Sequence, residues 1–166
     1  SFYNFTIDNS SGLNIGTNGL VEISNVLNLT DGIINTSSTD RLFISNTSPS
    51  AVSPSGGKAT SYINGPLTKT IMNGASFLYP IGNGPDISVP FTVTSAAGTG
   101  VIVDFTAAYH VPNPVFSPFD PTITGVNSDE YWSVSSSIST SLQLSIAYNN
   151  TSGLTPLMIG GDINDM

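Results

Sequence analysis

The sequence predicts an all-β chain: short parallel β-solenoid coils followed by an antiparallel β-sandwich. Three observations carry this. A strand-like signature recurs along the first third, as Phe5-Thr6-Ile7-Asp8-Asn9, Val21-Glu22-Ile23-Ser24-Asn25, Leu42-Phe43-Ile44-Ser45-Asn46 and a degraded Tyr62-Ile63-Asn64. Its isoleucines stand 16, 21 and 19 residues apart, the length of one coil in a stack where each coil covers the same face of its neighbour. Beyond residue 66, short β-branched and aromatic runs alternate with Gly, Pro and Asn turns, and no segment shows a helical period.

In the first region (1–66) the remaining coil sides are assigned to Leu13-Asn14-Ile15, Val26-Leu27-Asn28-Leu29, Ile33-Ile34 and Ala51-Val52, with corners at Asn18-Gly19 and Asp31-Gly32. An ordinary antiparallel sheet of short strands is the alternative. Asn4, Asn9, Asn28, Asn35 and Asn46 stand in Asn-x-Ser/Thr form. That pattern permits N-glycosylation, but Asn also suits tight corners and stacks as a hydrogen-bonding ladder inside a solenoid, which is the preferred reading. The Pro/Ser/Gly-rich stretch 49–60 is expected to be a long surface connection within the last coil.

The second region (67–166) is expected to form the sandwich. Strands are placed at Leu67–Met72, Ser76–Tyr79, Ser88–Thr94, Val101–Tyr109, Glu130–Val134 and Ser141–Tyr148. Turns fall at Asn73-Gly74 and from Gly82 to Asp86, and a long loop carries Pro112, Pro114, Pro118 and Pro121. One further strand is placed at Pro156–Ile159. The chain opens within a strand-like pattern, so it is expected to be a piece of a longer protein whose first coil, at Phe5-Thr6-Ile7, has no cap before it. Such a piece should associate through its ends or strand edges.

Composition excludes several functions. Only 8% of the residues are charged, and three basic residues (Arg41, Lys58, Lys69) face eleven acidic ones for a net charge of −8. A nucleic-acid groove requires clustered Lys and Arg, so no nucleic-acid partner is expected; attraction to anionic lipid fails for the same reason. The absence of Cys removes zinc-thiolate, iron–sulfur and thiol chemistry. No run of 18 apolar residues is present, so no membrane insertion by a helix is expected. His110, the sole histidine, has no Gly-x-Ser-x-Gly elbow to serve and is read as a polar residue at a strand end.

Asp129 and Glu130 flank the aromatics Tyr131 and Trp132, but neighbours on a strand point to opposite faces and cannot act as a glycosidase dyad. No catalytic residue, cofactor site or phosphate-binding loop is assigned. Asp162, Asn164 and Asp165 offer alternating oxygen ligands, as calcium loops do, and are the calcium candidates; an acidic linker is the plainer reading. Asp40, Asp86 and Asp120, in loops, are further calcium candidates without supporting spacing.

The stretch Ser61-Tyr62-Ile63-Asn64-Gly65-Pro66-Leu67-Thr68-Lys69-Thr70, then Phe77-Leu78-Tyr79-Pro80-Ile81-Gly82 and later Tyr131-Trp132, resembles a junction in large secreted surface proteins of the Bacteroidetes, of the gliding-adhesin and type nine secretion cargo kind. The resemblance implies an extracellular or cell-surface structural and adhesive module. Its partners would be neighbouring domains or subunits of the same surface protein, or glycans. It also implies that the Tyr-Trp strand is a core strand. Relatives of that kind often carry Arg before the Tyr; here Glu130 takes that place. A carbohydrate-binding module is the alternative, with Tyr3, Tyr62, Tyr109 and Tyr131 as platforms and Trp132 either a core anchor or a further platform. A solenoid polysaccharide lyase is a third class, poorly served by three basic residues.

Overall fold

A computed structural model of the chain describes residues 1–84, 90–111 and 130–146. Every element among them is a strand. The first wall of the solenoid is formed by β1 (Phe2–Asp8), β3 (Leu20–Asp31), β5 (Arg41–Ile44) and β8 (Leu67–Met72), paired in that order and all parallel. The short β6 (Val52–Ser53) extends the third coil against the second half of β3. The second wall is a four-stranded parallel sheet of β2 (Leu13–Asn14), β4 (Ile34–Asn35), β7 (Ile63–Asn64) and β10 (Ile81–Gly82). Ile7, Ile23, Leu27, Leu29, Leu42 and Ile44 from one wall and Ile34, Ile63 and Ile81 from the other share one apolar core. Coil stacking is therefore what buries each strand's apolar face.

The corners show why the sequence turns where it does. Gly32, after Asp31, has φ 97°, and a Cβ there would lie 1.9 Å from the Asn9 carbonyl oxygen. Gly65, in the Asn64-Gly65-Pro66 turn, has φ 119°, and its Cβ would lie 2.4 Å from the Thr36 carbonyl oxygen. Both combine a backbone conformation open to Gly with a close approach of the preceding coil. At the Asn18-Gly19 corner it is Asn18 that takes positive φ, 55°, as Asn tolerates.

The repeat is real, but two of its copies sit elsewhere than the sequence suggested. Val21 and Ile23 pair with Leu42 and Ile44, as the signature requires. Phe5-Thr6-Ile7, however, lies beside Leu27-Asn28-Leu29, and Phe2 is the residue opposite Ile23. The 12-residue β3 offers two apolar registers to a neighbour, and the sequence alone does not choose between them. Ile63-Asn64 belongs to the second wall, opposite Ile34-Asn35, because apolar-Asn steps occur on both walls. The 49–60 stretch is not all surface: Ala51 and Val52 are buried in the core, and Val52 pairs with Leu27.

β8 changes the character of the sheet. One edge pairs in parallel with β5; the other pairs antiparallel with β12 (Ile102–His110), which pairs antiparallel with β13 (Tyr131–Ser136). A separate antiparallel sheet orders β14 (Leu142–Ile146), β11 (Phe91–Ser95) and β9 (Ser76–Tyr79). Its Phe77, Tyr79, Phe91 and Val93 join Val103, Phe105, Ala107 and Tyr109 of β12 in the common core. The Tyr79 hydroxyl donates to the Phe105 carbonyl at 2.8 Å, tying the two layers, and the Tyr79 ring stacks on Phe91 at 5.7 Å. The first wall thus runs without interruption across residues 66 and 67, and β10 returns to the second wall after β9. The strand placed at 156–159 and the proline loop 112–121 lie outside the described residues.

Candidate functional sites

The most distinctive surface is the outer side of the first coil, where β1 and β2 are the terminal strands of their sheets among the described residues. Phe2 and Leu20 are 47% and 52% exposed there. A groove of about 490 Å³ is lined by Phe2, Phe5, Leu13, Ile15, Leu20 and Val21 among others, and no ionisable side chain among the described residues lines it. In a chain of net charge −8, this is an uncharged, mainly apolar face.

Asparagine ladders lead to that end. On the second wall, Asn64 Nδ2 donates to Asn35 Oδ1 at 2.9 Å, and Asn35 Nδ2 donates to Asn14 Oδ1 at 2.9 Å. On the first wall, Asn46 Nδ2 donates to the Asn25 carbonyl at 2.8 Å and Asn25 Nδ2 to Asn4 Oδ1 at 2.8 Å. Asn28 Nδ2 donates to Thr6 Oγ1 at 3.2 Å. All five amides donate towards the preceding coil. Asn4 Oδ1 also accepts from the Val26 N–H at 3.3 Å, which fixes that amide's orientation. The sequence anticipated the ladder; nothing in it signalled that the ladder has a direction.

The aromatic candidates divide between two faces of one strand pair. Tyr109 lies opposite Trp132, and His110 opposite Tyr131. Tyr109 is buried, and its hydroxyl donates to a Glu130 carboxylate oxygen. Trp132 packs on the core, 5.3 Å from the Tyr109 ring, with its Nε1 buried and unpartnered. Tyr131 and His110 stack on the opposite face at 4.4 Å, and His110 Nε2 lies 2.8 Å from Ser133 Oγ. Tyr109, Tyr131 and Trp132 therefore form no common platform, and Tyr62 is fully buried. Tyr3, on β1, is 71% exposed. Desolvation, then the Glu130 hydrogen bond and charge, raise the Tyr109 pKa; burial lowers that of His110.

Lys69 is fully buried on β8, opposite Ile44. Its Nζ donates to the carbonyls of Asn46 and, at 2.6 Å, Thr70, and lies 5.0 Å from the Phe77 ring centroid. Burial lowers its pKa to about 8, against an opposing pull from Asp104. Sequence reasoning assigned it no role. The signal was present, since strand alternation places Lys69 between Leu67 and Ile71 on the buried face.

The calcium candidates Asp162, Asn164 and Asp165, like Asp86, Asp120 and Asp129, lie outside the described residues. Asp40 is held in a local turn, accepting from Ser37 Oγ at 3.1 Å. Among the described residues no three His, Cys, Asp or Glu side chains gather as a metal group, and no helix is long and apolar enough to cross a membrane. Comparison of the chain with protein-family models, curated proteins and solved structures returns no match.

Proposed function

We propose that this chain is a structural and adhesive module of a secreted bacterial cell-surface protein or extracellular filament, and that it works as a load-carrying spacer rather than as an enzyme. One observation carries the reading. A single sheet passes from stacked coils into the antiparallel layers through β8, so the solenoid and the second half are joined by strand pairing rather than by a linker. A rod built this way has no hinge at the junction. On the outer side of the first coil, β1 and β2 have no pairing strand among the described residues, and Phe2 and Leu20 are exposed there. The junction sequence Tyr62-Ile63-Asn64-Gly65-Pro66-Leu67, which resembles that of type nine secretion cargo of the Bacteroidetes, supports the extracellular setting. The scarcity of Lys and Arg leaves few trypsin-like cleavage sites, which suits that setting. The carbohydrate-module reading draws less support, because Tyr109 and Trp132 turn towards the core.

The test is labelling of intact source cells with an antibody raised against this chain, alongside attachment of cells lacking the region. Labelling without permeabilisation and reduced attachment are expected. Labelling only after permeabilisation overturns the reading.

A further inference from the structure

A second groove, of about 550 Å³, runs along the flank of the coils. Three successive coils supply polar side chains to it: Ser10 and Ser11 from the turn between β1 and β2, Asp31 and Asn35 from the second coil, and Thr60 and Asn64 from the third. Two coil steps of about 4.8 Å set the outer rungs about 10 Å apart. A further coil stacked on the first would extend this groove rather than cover it. Gly12 and Gly32 keep its floor free of side chains, since a Cβ at either would strike the backbone of a neighbouring coil. The polar groups are held in place. Asn35 uses both ends of its amide, accepting from Asn64 Nδ2 and donating to Asn14 Oδ1, each at 2.9 Å. Asn64 commits its Nδ2 to that ladder, which leaves its Oδ1 to accept. The Asp31 carboxylate takes part in no hydrogen bond or ion pair among the described residues. Ser10, Ser11 and Thr60 are exposed, and their hydroxyls both donate and accept. No aromatic or basic side chain among the described residues lines the groove.

We propose that this flank groove binds a neutral glycan chain lying along the stack. Sugar hydroxyls donate to the Asp31 carboxylate and to Asn64 Oδ1, and exchange hydrogen bonds with the hydroxyls of Ser10, Ser11 and Thr60. The lining selects the class. It calls for a ligand with many groups that both donate and accept, repeated over several ångströms, and linked sugar rings are such a ligand. The step from coil to coil is close to the advance of one ring along an extended glycan, so polar groups recur in phase on both sides. Uronate and sulfated chains are disfavoured, because Asp31 repels them, no basic side chain among the described residues offsets it, and the chain carries a net charge of −8. One carboxylate is too little for a metal cage, and none forms among the described residues. A captured peptide strand would need an unpaired edge, whereas β2, β4 and β7 beneath this flank are paired with one another. The site shares no residue with the aromatic candidates Tyr109, Tyr131 and Trp132. It gives the adhesive reading a ligand class and rests on that reading for its biological setting only; the binding itself is a property of the purified chain.

The probes are the neutral hexasaccharides cellohexaose, laminarihexaose and mannohexaose, with hexagalacturonate as the anionic comparison. Each is titrated into the full 166-residue chain, labelled with nitrogen-15, and amide shifts are followed by nuclear magnetic resonance. Saturable binding of at least one neutral hexasaccharide is expected, with the shift changes centred on residues 10–12, 31–35 and 60–64. Two variants probe the site by different means. Asp31→Asn removes the charged acceptor and keeps the shape; it should weaken binding about tenfold. Thr60→Trp fills the groove from an exposed position and should weaken it at least as much. Melting temperatures close to the parent's are expected for both, and the shift map of the parent reads the site without either variant. Four results would overturn the proposal: no neutral hexasaccharide binding at millimolar concentration; shift changes centred outside the groove; affinity unchanged in both variants; or hexagalacturonate binding as tightly as the neutral chains. Failure of this assay leaves the cell-labelling test untouched, so the two readings fall separately.

Discussion

Lys69 is an ionisable group where the register calls for an apolar one. Its neighbours along the wall are Ile44 and Ile23, and its ammonium meets two carbonyls and an aromatic ring instead of a carboxylate. Burial lowers its pKa to about 8 from the ordinary 10.5. The unfolded chain therefore holds more protons than the folded one between those values, and stability must rise with pH across that window. Tyr79 and Tyr109 act oppositely. Burial raises both their pKa values, so the folded state retains protons that the unfolded state loses above about pH 10, and their contribution is lost as pH climbs further. The expected result is a melting temperature that climbs from pH 8 to about 10 and then turns over. In Lys69→Met the climb should be absent and the turnover retained. A parent protein with a flat profile over pH 8–10 would contradict the burial of Lys69 as a cation.

At the scale of the element, the corner after β3 is set by contact between coils. Gly32 to Ala would combine positive φ with a Cβ pressed against the Asn9 carbonyl, a backbone that has little room to yield. The substitution should cost about 3 kcal/mol, read as a shift in the urea midpoint with little change in slope. Gly74 has nothing within 4 Å of its would-be Cβ, although its φ is 76°; Gly74→Ala should cost about 1 kcal/mol and serves as the matched control. These corners were legible in the sequence, because Asp-Gly and Asn-Gly steps have few other uses. So were the strands of the antiparallel half, where turn signals isolate each run. The register of β1 was not legible, since strand alternation makes Ile7 equally suited to lie beside Ile23 or Leu29. Nor was the wall to which Ile63-Asn64 belongs, since both walls use the same pair of residue types. The aromatic candidates were legible as residues but not as faces. Which of Tyr109 and Tyr131 points inward depends on the pairing of β12 with β13, a contact distant in sequence.

For the whole molecule, the double role of β8 decides how the fold fails. Separating the coils from the antiparallel layers would require breaking either the β5–β8 or the β8–β12 pairing and would expose a core that both halves share. Unfolding should therefore be a single transition. The one tryptophan reports on it well, because Trp132 lies on β13, three strands beyond the third coil's β5. Its fluorescence and the far-ultraviolet circular dichroism should give coincident thermal curves; a tryptophan transition separated from the dichroism curve would show that the halves melt independently.

The asparagine ladders add a polarity that strand pairing alone does not. A backbone amide carries a dipole of about 3.5 D, and a side-chain carboxamide is the same chemical group. Five of them pointing the same way along the stack align their dipoles with the positive pole at the first coil. Two such ends brought together about a twofold axis would meet like pole to like pole, with donors facing donors. The commonest route by which identical chains close into a dimer is thus disfavoured at this surface.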